Sequence, residues 1–108
     1  MNTQIEITIG SEKQIAWARD IQMNPQGQSK AAWIKEAKTY IHKADCDEAI
    51  KGKAIEGIDA AASTAKFWIE DFSVSDLLSL AEAWVTSDEG SVKGSFAYGL
   101  YKEAKKSA

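Results

Sequence analysis

The chain has 108 residues, 44% hydrophobic and 27% charged, with a net charge of −3 and a pI near 5.1. That length holds one domain, residues 1–108, and the composition excludes a disordered chain, while four Trp, three Tyr and three Phe supply ample surface for a core. The single cysteine, Cys46, excludes an internal disulfide, no apolar run approaches the ~20 residues of a membrane span, and the acidity argues against non-specific nucleic-acid binding, which depends on cations neutralising phosphate.

In chain order, Thr3 to Ile9 alternates, with Ile5, Ile7 and Ile9 on one face and Gln4, Glu6 and Thr8 on the other. Period two with β-branched residues predicts a short strand. A lone strand makes no sheet, so the alternatives are an extended arm along the helices or pairing with a second copy in a dimer. The segment lacks the basic start and apolar block of a signal peptide, and a cytoplasmic protein is expected. Gly10 breaks the alternation, and Ser11 with Gln14 has the form of a capping box. The helix that follows is expected to run to about Met23, with Gln14, Trp17, Ala18 and Ile21 on one side, until Asn24-Pro25-Gln26-Gly27 stops it.

A second helix is expected over about Ser29 to Ala44, burying Trp33, Ala37, Tyr40, Ile41 and Ala44 and leaving Lys35, Lys38 and His42 on the other side. Asp45 is placed to cap a third, about Cys46 to Ala62, with an apolar stripe of Ile50, Ala54, Ile55, Ile58 and Ala62. Gly52 and Gly57 each weaken that helix by about 1 kcal/mol relative to Ala, or permit a close neighbour. Ser63 or Thr64 opens a short helix with Ala65, Trp68, Ile69 and Phe72 on one face. Ser73 or Ser75 caps the next, which buries Leu77, Leu78, Ala81, Trp84 and Val85. Asp88-Glu89-Gly90 reads as a turn. The last helix, about Ser91 to Lys106, shows Val92, Phe96, Ala97, Leu100, Tyr101 and Ala104, with Lys102, Lys105 and Lys106 suited to its C-terminus. The fold class is therefore mainly α: a bundle of five to six helices with one short N-terminal strand or arm. All four Trp fall on predicted apolar faces and are expected in the core.

Charge is unevenly spread. Ala54 to Glu89 carries eight acids, among them Glu70, Asp71, Asp76 and Glu82, against Lys66 alone. From Gln26 to Ala44, Lys30, Lys35, Lys38 and Lys43 face only Glu36. Such runs are ordinarily solvated helix faces; the functional alternative is an acidic surface complementary to a basic partner.

No pattern for catalysis emerges. His42 precedes Cys46 by one helical turn, but the pair straddles the boundary at Asp45 and has no identifiable third group. Four zinc ligands in paired motifs are missing, and an exposed histidine beside a small buried cysteine is the expected arrangement. The glycines at 90, 94 and 99 match no phosphate loop, and Gly94 and Gly99 are better suited to close helix contact. No enzyme activity, no cofactor and no metal are expected.

Two segments carry a resemblance. Gly10 to Ile21, GSEKQIAWARDI, and Ala65 to Phe72, AKFWIEDF, resemble the two signature segments of a widespread group of short bacterial and phage proteins. They cover about a fifth of the chain, in the order and spacing of that group. Glu70-Asp71-Phe72 replaces the group's usual Asp-Asn-Arg, which removes its arginine. Some members that open with GSEKQ are anti-CRISPR proteins, short and without enzymatic activity, that bind effector complexes and block DNA recognition. The resemblance implies a phage or mobile-element accessory protein, in the host cytoplasm, that binds a host protein complex such as a CRISPR effector. Glu70, Asp71, Asp76 and Glu82 are the candidate contacts, since carboxylates compete with DNA phosphates for basic residues. The alternatives are a nucleic-acid-binding accessory protein using Lys30, Lys35, Lys38, His42 and Lys43, and a structural homodimer.

Overall fold

The computed structural model describes residues 6–70, 72–86 and 97–106. Six helices organise them: α1 (Glu12–Gln22), α2 (Pro25–Lys43), α3 (Glu48–Ala62), α4 (Ala65–Ile69), α5 (Val74–Thr86) and α6 (Ala97–Lys105). This is the mainly helical bundle expected from the periodicity. The turn at Asp88-Glu89-Gly90, the start of the last helix with Val92, Gly94 and Phe96, and Ile5 lie outside the described residues.

Short polar residues start the helices. Ser11 Oγ accepts the Gln14 N–H at 3.2 Å and Gln14 Oε1 accepts the Ser11 N–H at 3.0 Å, a complete capping box. Thr64 Oγ1 accepts the Phe67 N–H at 3.1 Å to open α4. Ser73, rather than Ser75, begins α5: its N–H donates to Asp76 Oδ2 at 2.8 Å while its Oγ accepts the Asp76 N–H at 3.3 Å.

Two starts depart from the sequence expectation. α2 begins at Pro25, four positions before Ser29, with Asn24 Oδ1 accepting the Gly27 N–H at 3.2 Å. Proline is tolerated in a first turn because its missing N–H has no helical partner there, so Asn24-Pro25 ends α1 and starts α2 at once. The corner is tight: a Cβ on Gly27 would lie 2.0 Å from the Ile21 carbonyl oxygen. α3 begins at Glu48, not Cys46, and Asp47 rather than Asp45 holds the N-cap position. The Cys46 N–H bonds to the Ala44 carbonyl at 3.1 Å, which keeps Asp45 and Cys46 in a turn.

Among the described residues the N-terminal segment, residues 6–10, is an arm rather than a strand. Ile9 makes a single parallel bridge to Thr64. The Thr8 and Ile9 N–H groups donate to the Ser63 carbonyl at 2.9 and 3.1 Å, and the Ala65 N–H donates to the Ile9 carbonyl at 2.9 Å. Ile7 is buried while Glu6 and Thr8 are exposed, so the alternation holds along the arm. Gly10, at φ +142°, lets the chain turn from arm to α1 beside Ala65, whose Cβ would lie 3.0 Å from a Cβ at position 10.

α3 and α5 form the centre of the bundle. Gly57 admits the Trp84 ring there, since a Cβ at 57 would stand 2.7 Å from Trp84 Cγ; Gly52 meets nothing within 4 Å. Trp84 packs edge-on against Tyr101 and Phe67 against Trp68, at centroid distances of 6.2 and 5.3 Å. Trp68 Nε1 donates to the Ala62 carbonyl at 2.8 Å, which satisfies the indole inside the core. α6 buries Ala97, Leu100, Tyr101 and Ala104 as expected.

Three helix faces differ from the expected ones. α2 buries Lys30, Ile34, Ala37 and Ile41, so Tyr40 turns out to 63% exposure and Trp33 is half-buried. α1 packs through Ala18 and Ile21 and leaves Trp17, one position around, 58% exposed rather than in a core with Trp68. α3 is buried through Ala54, Gly57, Ile58, Ala61 and Ala62, which puts Ile50, on its first turn, at 41% exposure.

Candidate partner-binding surfaces

The proposed acidic surface is divided by the fold. Glu70, at the C-terminal end of α4, is half-buried and its Oε2 accepts from Lys66 Nζ at 2.6 Å. Asp76 is occupied with Ser73 at the start of α5. Glu82 is exposed on α5. Glu70 lines a depression with Trp17 and Glu103, apart from two adjoining grooves, one that holds Asp76 with Trp33 and Glu36 and one that holds Glu82 with Tyr40 and Ile50. Asp71 lies outside the described residues. Closeness in sequence does not survive here because a short helix and a turn intervene, and Asp76 and Glu82 are over one and a half turns apart on a helix of ~3.6 residues per turn.

The basic candidates separate as well. Lys30 is only 1% exposed. Its Nζ donates to the carbonyls of Phe67 at 2.7 Å and Glu70 at 2.5 Å and lies 5.0 Å from the Phe67 ring centroid. An ammonium is buried only when carbonyls replace its water, and the last carbonyls of α4 do so, with the favourable end of that helix facing the charge. Lys30 is therefore a structural residue and not a nucleic-acid contact. Lys38 pairs with Asp59 at 2.5 Å, while Lys35, His42 and Lys43 are exposed. Cys46 is exposed too, contrary to expectation, because it lies in the α2–α3 turn instead of inside a helix. Among the described residues no three His, Cys, Asp or Glu side chains cluster as metal ligands, and no helix is long and apolar enough to cross a membrane.

What sequence reasoning missed is a groove of about 500 Å³ between the C-terminal half of α2, the start of α3 and the outer side of α5. Tyr40, Ile41, Ile50, Leu78 and Val85 give it an apolar lining, and Lys51 and Glu82 add charge. A second groove of about 500 Å³, lined by Trp33, Glu36, Phe72 and Asp76, meets it at Ser75. Tyr40 and Ile50 sit on ordinary helical apolar spacings, so they read as core. For Tyr40 the signal is Lys30, a charged residue that takes a core position on α2 and shifts its buried stripe; Ile50 lies on the first turn of α3, ahead of the buried run from Ala54 to Ala62.

Comparison of the chain with protein-family models, curated proteins and solved structures finds no match.

Proposed function

We propose that this chain is an accessory protein that acts by binding another protein. The observation that supports this reading is the grouping of Tyr40 and Ile50, both exposed, on one apolar groove. Scattered apolar side chains are normal on a surface, whereas several gathered in a concave site mark contact with a partner. In its more specific form, drawn from the resemblance of Gly10–Ile21 and Ala65–Phe72, the protein is phage- or mobile-element-encoded and inhibits a CRISPR effector by competing with DNA. Glu82 is then the main acidic contact, because Glu70 and Asp76 already serve Lys66 and Ser73.

The test is affinity capture from host lysate, identification of the partners by mass spectrometry, and DNA competition on any effector complex recovered. The expected result is a protein complex held by the wild type, displaced from DNA, and less inhibited by Glu82→Lys. Capture of nothing above background, with DNA binding by the isolated protein that weakens steeply with salt, contradicts the proposal.

A further inference from the structure

We propose that the groove along α5 receives a basic amphipathic helix of the partner. This rests on the protein-binding reading above and adds the chemistry of what binds. The two grooves share Ser75 and are both lined by α2 and α5, with α3 closing the first, and we take them together as one trough along the two helices. From α2, Trp33, Glu36 and Tyr40 reach it, and from α5, Ser75, Leu78, Glu82 and Val85. Spacings of three and four residues put each set on one face of its helix. Two helices bordering an apolar trough is the arrangement into which a third helix lays its apolar stripe. α5 has 13 residues, so the trough is about 20 Å long at ~1.5 Å per residue, matching a helix of similar length.

Charge selects the sign of the occupant. Glu36 and Glu82 line the trough, beside an Asp76 engaged with Ser73, against Lys51 alone, and Lys51 is itself held near Glu48 at 3.8 Å and on the His42 carbonyl at 3.0 Å. A helix with lysines or arginines beside its apolar stripe gains from those carboxylates, whereas an acidic helix or a phosphate backbone is repelled. A second copy of the chain is a poor fit: its basic helix α6 already buries its apolar face, Ala97, Leu100, Tyr101 and Ala104, in its own core.

The probe is a labelled synthetic peptide of about 13 residues, with leucine at every third or fourth position and lysine between, followed by fluorescence anisotropy against the full chain. A matched peptide with glutamate for lysine serves as control. The wild type is expected to bind the basic peptide at least about tenfold more tightly than the acidic one. Ile50→Asp and Tyr40→Ser are expected to weaken binding about tenfold, and Glu36→Lys with Glu82→Lys to reverse the preference. All four side chains are exposed, and a thermal melt confirms that each variant folds. Equal binding of both peptides, binding unmoved by the substitutions, or a dimer that Ile50→Asp dissociates would overturn the inference. Failure of this inference is separable from failure of the reading beneath it. A lysate partner retained by Tyr40→Ser and Ile50→Asp overturns the trough and leaves protein binding in place. Background-only capture, with the basic peptide bound as described, overturns the accessory-protein reading instead.

Discussion

Where the N-terminal arm, α1 and α4 meet, one group after another is committed to a partner inside the fold: Ser11 to Gln14, Ile9 to Ala65, Thr64 to Phe67, Trp68 to Ala62, and Lys30 to the last carbonyls of α4. Along the α2–α5 trough, Tyr40, Ile50 and Glu82 are left facing outward. In the first region α1 lies directly against α4. The contrast separates residues that hold the fold from residues available to a partner.

The strongest way to break the contrast is at the α1–α2 corner. Gly27→Ala sets a Cβ against the Ile21 carbonyl and Gln22 backbone, which cannot move aside as a flexible side chain would. We expect a loss of at least about 3 kcal/mol, read from the urea midpoint. Lys30→Met keeps the bulk but leaves the Phe67 and Glu70 carbonyls without their donor, with an expected cost of about 2–4 kcal/mol. Ser11→Ala removes one half of the capping box, for about 1 kcal/mol. Smallest of all, Tyr40→Ser, 63% exposed, is expected to stay within about 0.5 kcal/mol of wild type, and Ile50→Asp, 41% exposed, to cost no more than about 1 kcal/mol. A large loss from either would mean that the trough is part of the scaffold.

Most of the scaffold was legible in the sequence because it follows from local chemistry. Ser11 three residues before Gln14 announced the start of α1, and Ser63 or Thr64 and Ser73 or Ser75 bracketed the starts of α4 and α5, where the structure selects Thr64 and Ser73. The apolar stripes of α5 and α6 likewise placed Leu77, Trp84, Leu100 and Tyr101 correctly. The faces of α1, α2 and α3 were less legible, because each offers competing apolar positions: Trp17 beside Ala18, Tyr40 beside Ile41, and Ile50 ahead of Gly57. Periodicity gives such neighbours similar weight, and packing decides between them. Lys30 decided the matter for α2, and its burial depends on the carbonyl end of α4, some forty positions away. The candidate site was legible only in part for the same reason. Glu82 was identified, but the side chains that share its groove are Tyr40 and Ile50 rather than Glu70.

Two exposed aromatic positions, one in each region, offer the most direct test. Wild type, Ile50→Asp with Tyr40→Ser, and Trp17→Ala are used side by side in affinity capture, after melts establish that all three are folded. A partner held by wild type is expected to be lost with the trough variant and retained by Trp17→Ala. Retention by the trough variant with loss through Trp17→Ala would contradict this expectation, and would move the binding surface to the α1–α4 side.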